Sequence, residues 1–365
     1  MNDNFYIDTN YKFNEFIVKA KQQKVIALDT EFLWRKTYYP ILGLIQAAFS
    51  KDEYYLIDTI ALKDITALGE ILADRNIIKI LHDAHQDLLI LSRSCNYVVP
   101  VNIFDTRRAA GFAGLDHTAS LAKIIYELFN VSLSKSETTT DWTRRPLTKN
   151  QIKYAIDDVT YMCEMREILL KRARNNGLEN WLIDEMKIYE DKDSYRVISP
   201  EERYLKFKII NRLSNYNIKL LKYLAAWRET EAENKNIPKT FIFKDGILFK
   251  IVMKDPKNIA ELGNVEGMLT EKIKKYGHEI IKILQKARVH EEKLQLKHQR
   301  IIINNNDLIK LKKFIADKAH ELNMPVELIA TRSDLVKFLE DKKSDNLSCN
   351  KLLKTWRREI FLPVI

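Results

Sequence analysis

Four acidic residues far apart along the chain, Asp29, Glu31, Asp87 and Asp158, with Tyr154 one helical turn before the last, constrain what this sequence can fold into. A fold that gathers them must meet their mutual repulsion. At about 5 Å and an effective dielectric near 20, each carboxylate pair costs on the order of 3 kcal/mol. Such a cluster must therefore protonate some of its members or recruit divalent metal. A pair of hard cations resolves the repulsion and also binds phosphate oxygens, so the acids point to a two-metal site that hydrolyses phosphodiesters.

The first pair lies in residues 25–32 (VIALDTEF), a short apolar run that reads as a buried strand with the acids at its end. Side chains alternate along a strand, so Asp29 and Glu31 share one side of it. One carboxylate can bridge two metals while the other binds one of them. Alone, two acids so spaced can equally solvate a strand exit. The third acid lies in residues 77–91 (IIKILHDAHQDLLIL), a strand giving way to a helix that carries Asp87 and packs through Leu88 and Leu91. His82 and His85 read as a structural and a surface histidine, because histidine ligands usually accompany softer or tetrahedral sites.

The sharpest pattern is residues 141–158 (DWTRRPLTKNQIKYAIDD). Pro146 breaks the preceding segment, Thr148 can cap a helix, and Gln151 stands at the capping-box position. Ile152, Ile156, Val159 and Cys163 then form an apolar stripe, while Tyr154 and Asp158, four residues apart, share a different face. One helix can thus pack into a domain and aim a carboxylate and a phenol at the site. Asp157 points about 100° away from Asp158.

On these residues the chain resembles the ribonuclease D family, in the tyrosine-containing branch of the DEDD superfamily of 3′ to 5′ exonucleases. Asp29 to Phe32 resembles the first exonuclease motif, and Arg35 and the run from Tyr38 to Gln46 also follow the family. Asp87 matches the acid of the second motif. Tyr154 and Asp158 match the Y-x-x-x-D third motif, with Lys135 to Glu137, Asp141 and Trp142 ahead of it.

The resemblance implies an α/β ribonuclease H-like exonuclease domain with a mixed sheet over residues 1–190 and a linker over 191–210. Two small all-α helicase-and-RNase-D C-terminal domains would follow, a nucleic-acid-binding one over 211–289 and a more divergent one over 293–365. It also implies that Asp29, Glu31, Asp87 and Asp158 hold two divalent cations, Mg²⁺ or Mn²⁺, and that these acids and Tyr154 are the catalytic residues. A tyrosine with an ordinary pKa near 10 is a poor base at neutral pH, so Tyr154 is expected to orient the attacking water. The expected products are nucleoside 5′-monophosphates. The expected substrate is structured RNA with a free 3′ hydroxyl, transfer RNA precursors above all, and the expected state is a monomer.

Periodicity read independently agrees with an α/β plan. Strand-like runs at about 25–30, 43–49, 54–58 and 77–81 precede helical segments near 85–92, 118–129 and 149–174. Beyond about residue 190 the texture becomes helical and basic. Residues 1–190 contain 24 Lys+Arg and 26 Asp+Glu, net −2, whereas residues 191–365 contain 36 and 24, net +12. Positive charge placed away from the acidic motifs suits a module that holds a nucleic-acid backbone, although Lys-rich helices can also be solvated surface. Trp356 and Phe361 fit an apolar helix face and read as core anchors rather than base-stacking residues.

Phe32, Trp34, Tyr38 and Tyr39 follow the first acids closely, and can either stack on terminal bases or pack into the core. Arg35, Arg144 and Arg145 are candidates for phosphate contact or for exposed solubilising charge. The three cysteines, Cys95, Cys163 and Cys349, are too sparse for a disulfide scaffold or a metal cluster. No secretory segment opens the chain and no run reaches the roughly 18 apolar residues of a membrane span, so a cytoplasmic location away from membranes is expected. Two other readings stay open on the residues alone: a DNA exonuclease with the same metal chemistry, and an inactive RNA-binding scaffold.

Overall fold

Residues 25–33 change from apolar to acidic, and the structure, a computed structural model, puts this segment at the centre of a six-stranded sheet. It describes residues 5–134, 136–207, 210, 213–291 and 303–365. Lys135 and the domain starts expected at residues 211 and 293 lie outside the described residues. Strands β1 (Tyr6–Ile7), β2 (Val25–Leu33), β3 (Ile41–Ala48), β4 (Tyr54–Asp58), β5 (Ile78–Leu81) and β6 (Ile103–Asp105) run in the order β1-β4-β3-β2-β5-β6. β1 is parallel to β4, and β5 is parallel to both β2 and β6, while β3 and β4 are antiparallel, so the sheet is mixed. Ile26, Ala27 and Leu28 are fully buried. Asp29 and Glu31 follow them along β2, beyond its register with β5.

Thr148 and Gln151 do close a capping box: the Gln151 N–H donates to Thr148 Oγ1 at 3.1 Å and the Thr148 N–H to Gln151 Oε1 at 3.0 Å. The helix they start, Lys149–Thr160, buries Gln151, Ala155 and Val159. Ile152 and Ile156 pack less deeply, against a cluster that contains Leu44, Leu56 and Trp142. Cys163 belongs to the next helix, Met162–Asn175, so the apolar stripe does not run straight through.

The chain divides into two units. The first joins residues 1–33, 42–196 and 302–365, and the second joins 34–41 to 197–301. The C-terminal helices Asn305–Glu321 and Arg332–Lys343 and the short helix Arg357–Phe361 therefore share the core of the sheet-containing unit. Trp356 and Phe361 are the anchors, 3% and 0% exposed. The Trp356 indole stacks on Trp181 at 5.1 Å between ring centres and donates through Nε1 to Glu185 at 2.8 Å. Glu185, itself buried, also accepts from Arg108 at 2.6 Å and Arg357 at 2.6 Å.

In the second unit, Ser214 caps the helix Asn215–Asn234, which packs with Asp245–Lys254 and Thr270–Val289 through Leu220, Leu221, Leu224, Leu248, Ile280 and Leu284. Between Pro238 and Gly246 the chain forms a short helix, Lys239–Ile242, and Gly246 already lies in the helix that follows. Glu229 and Glu233, one turn apart on the first helix, accept the hydroxyls of Tyr38 and Tyr39, each at 2.7 Å. The Tyr38 N–H donates to Asn236 Oδ1 at 3.2 Å. Segment 34–41 thus finds its partners about 190 residues further along the chain.

Candidate active site

The end of β2 and the helix Lys149–Thr160 bring Asp29, Glu31 and Asp158 together: one oxygen of each lies within 4.8 Å of the others. Their side chains are neither fully buried nor fully exposed. Asp87, the third residue of the helix His85–Ser94, stands outside that group of three. It is buried, accepts a hydrogen bond from the Thr30 hydroxyl, and still acts electrostatically on Asp29 and Glu31. Thr30 was not singled out by the sequence reading, although its position between the two β2 acids is a sign available there.

Every one of these carboxyls is held above its ordinary range. Burial raises Asp29 well above the usual value, and the charges of Asp87, Asp158 and Glu31 add to it. Glu31 is pushed up to about 9 by burial, then by Asp158 and Asp87. Asp158 reaches about 7 through burial, against the opposing effect of the Tyr154 hydroxyl. Asp87 reaches about 6 through burial, against the Thr30 hydrogen bond. The donors are all carboxylate oxygens, which suits a hard divalent cation rather than a thiolate- or imidazole-bound metal.

Tyr154 lies on the same helix, its hydroxyl 3.5 Å from Thr138 Oγ1 and its ring 6.0 Å from that of Trp142. Burial, followed by the charge of Asp158, raises its pKa, so the phenol keeps its proton at neutral pH. Asp157 pairs instead with Lys153 at 2.7 Å. His82 Nδ1 is 2.9 Å from Thr106 Oγ1, and His85 is exposed.

The surrounding candidates divide. Phe32 is half-buried on β2 beside Glu31. Trp34, Arg35, Tyr38 and Tyr39 belong to segment 34–41 of the second unit. There Trp34 is 53% exposed and donates to the Tyr38 carbonyl at 3.3 Å, while both tyrosine hydroxyls are engaged by glutamates. Arg144 is well exposed and pairs with Asp141 at 3.3 Å.

Arg145 departs from the expectation of phosphate contact. It holds Asp58 through Nε and Nη2, both at 2.6 Å, and donates to the carbonyls of Gly43, Trp142 and Arg144. A guanidinium has five N–H donors, so these bonds occupy the whole set. Arg145 ties the segment before the Tyr154 helix to β3 and β4, and no donor is left for a phosphate.

The raised carboxyls carry a pH dependence whose sign is fixed. Between the unfolded values near 4 and the folded values of about 6 to 9, the folded protein binds more protons than the unfolded chain. Without metal, the contribution of these carboxyls to stability is fully present below about pH 4 and is lost as pH rises through their folded values. The metal-free melting temperature should therefore fall from about pH 5 to about pH 8, and MgCl₂ should raise it more at the higher pH. A Mg²⁺-induced shift of equal size at both pH values, measured by scanning calorimetry, would contradict a metal-binding role for the cluster.

Comparison with known proteins fits this geometry. Residues 4–174 match a family model for a 3′-5′ exonuclease, and residues 217–284 match one for an HRDC domain. Ribonuclease D of Desulfotalea psychrophila is 37% identical over 358 residues, covering 97% of this chain and 95% of the relative. The chain belongs to the ribonuclease D family. Ribonuclease D of Zymomonas mobilis is 32% identical, covering 92% of this chain and 86% of its own. The crystal structure of Escherichia coli RNase D, described as an exoribonuclease involved in structured RNA processing, matches with a TM-score of 0.88 and 26% identity. That match covers 98% of this chain and 96% of the other. This ribonuclease D family member is accordingly a 3′ to 5′ exoribonuclease with an α/β exonuclease domain, an HRDC domain and a helical C-terminus. Exonucleases of this family depend on metal. Among the described residues, no helix is long and apolar enough to cross a membrane.

Proposed function

We propose that this enzyme trims the 3′ extensions of transfer RNA precursors one nucleotide at a time, with Asp29, Glu31, Asp87 and Asp158 holding two divalent cations, Mg²⁺ or Mn²⁺. The observation that carries the reading is the convergence of three carboxylates, Asp29 and Glu31 from β2 and Asp158 from the helix that also carries Tyr154, with one oxygen of each within 4.8 Å of the others. The description of the Escherichia coli relative as acting in structured RNA processing supports the choice of substrate. When bound, such cations supply Lewis-acid withdrawal of charge from the scissile phosphate.

The chain's own groups do the rest. The carboxylates fix the cation positions, and the protonated Tyr154 hydroxyl donates a hydrogen bond that orients the attacking water. Water adds to phosphorus as the 3′ oxygen departs and takes up a proton, which leaves a nucleoside 5′-monophosphate and a shortened 3′ hydroxyl end. The HRDC domain grips the RNA backbone through exposed lysines of Thr270–Val289, such as Lys274, Lys282 and Lys286. The enzyme works in the cytoplasm as a monomer.

The test is a time course on matched 5′-labelled transfer RNA precursor, unstructured RNA and single-stranded DNA, each with a free or blocked 3′ end. A stepwise ladder on the precursor that disappears when the 3′ end is blocked is the expected result. Preferential degradation of DNA would move the assignment to a DNA exonuclease, and binding without metal-dependent nucleotide release would indicate a scaffold. Replacing Lys274, Lys282 and Lys286 together by Ala should lower the slope of affinity against salt by about 2 to 3. An unchanged slope would remove these lysines from the RNA contact.

A further inference from the structure

The helix that carries Asp87 has an unusual start. Its first turn, from His85, is preceded by Ala84, which has no side chain able to cap it. Asp83, one residue earlier, has a left-handed backbone with φ of 59°, a conformation that a residue with a Cβ rarely adopts without support. Both amides are satisfied by a carboxylate from elsewhere in the chain. Asp105, at the end of β6 and 1% exposed, accepts from the Asp83 N–H at 3.2 Å and the Ala84 N–H at 3.0 Å.

The same carboxylate caps its own helix, Thr106–Phe112, by accepting the N–H groups of Arg107 at 2.8 Å and Arg108 at 3.2 Å. One side chain thus fixes two helix starts at once, and Arg107 reinforces the link by pairing with the Asp83 carboxylate. Asp105 is in turn held by Tyr189. The Tyr189 hydroxyl donates to Asp105 Oδ2 and accepts from Arg108 Nε at 3.2 Å, and Arg108 is braced by the buried Glu185 at 2.6 Å.

We propose that Asp105 is a positioning residue for Asp87, and that Tyr189 sets the orientation in which Asp105 holds it. This rests on the reading of Asp87 as one of the catalytic acids. Asp87 is four residues beyond Asp83, so a rotation of this turn displaces its carboxylate relative to Asp29 and Glu31. Displacements of about 1 Å at a reacting centre can cost about 100-fold in rate. Neither Asp105 nor Tyr189 needs to touch RNA, so their removal acts on turnover and not on substrate affinity.

The test compares Tyr189→Phe, Asp105→Asn and Asp87→Asn in the full-length protein. Tyr189→Phe fills the same space without its hydroxyl and remains informative if Asp105→Asn fails to fold. The expected result is a kcat lowered about 10-fold in Tyr189→Phe and more in Asp105→Asn, with KM unchanged. In the free enzyme, hydrogen exchange should accelerate selectively in residues 82–88, and Mn²⁺ binding should weaken in the absence of RNA. Wild-type kcat and wild-type exchange in a folded Tyr189→Phe protein, alongside an inactive Asp87→Asn, would overturn the positioning role. Faster exchange spread evenly over the unit, without a selective change at 82–88, would overturn it as well. Wild-type turnover by Asp87→Asn would instead overturn the underlying assignment of the catalytic acids.

Discussion

Replacing Asp158 by Asn should lower turnover by roughly 100-fold or more at saturating Mg²⁺, the scale expected when one preorganised electrostatic group is removed from a reacting centre. The substitution is nearly isosteric and leaves the helix Lys149–Thr160 with its capping box intact. It removes a charge that raises the pKa of Asp29, Glu31 and Tyr154. The metal-free variant should therefore melt at a higher temperature than the metal-free wild type at about pH 8, because repulsion among the remaining acids is relieved. Lost activity combined with gained apo-stability is a signature that a merely damaged fold cannot produce. Near-wild-type turnover by the folded variant would exclude Asp158 from an essential role. Tyr154→Phe belongs in the same series: it should still bind RNA but cleave slowly under single-turnover conditions, since it loses the hydroxyl proposed to orient water.

A second large effect is expected far from the acids, at Trp356. Its indole is 3% exposed, stacks on Trp181, meets Phe112 edge-on at 5.4 Å between ring centres, and donates to Glu185. Trp356→Ala should destabilise the sheet-containing unit by about 3 to 5 kcal/mol, the range for losing a large buried aromatic side chain. Glu185→Ala should cost a similar amount, about 3 to 5 kcal/mol, because it strands the guanidiniums of Arg108 and Arg357 without their shared buried carboxylate. Urea unfolding monitored by tryptophan fluorescence and by circular dichroism would read both. A loss below about 1 kcal/mol for Trp356→Ala would mean that the C-terminal helices are dispensable to this core. Trp356→Phe, which keeps an aromatic ring but loses Nε1, should fall between the two limits.

The parts of this molecule that local patterns encode were legible. The apolar run before Asp29 made β2 visible, and the Thr148 and Gln151 pair placed the start of the helix that carries Tyr154 and Asp158. β1 and β6 left no such trace, because two or three residues cannot display a period of two. Long-range partnerships were silent for a different reason. Nothing near Asp105 reveals that it accepts the amides of Asp83 and Ala84 just ahead of a helix beginning twenty residues earlier, and nothing near Tyr38 reveals Glu229. Arg145 shows the same limit: an arginine bound for Asp58 and three carbonyls looks, in one dimension, like an arginine available to phosphate.

The division of the chain also orders events at the ribosome. Residues 197–301 are synthesised in the middle, between the strands of the sheet and the helices that complete the sheet's core. Synthesis proceeds from the N-terminus, so the HRDC-containing stretch emerges whole while Phe112 and Trp181 still await Trp356. The packing of Trp356 into the core of the α/β unit therefore comes only after about a hundred intervening residues have been translated.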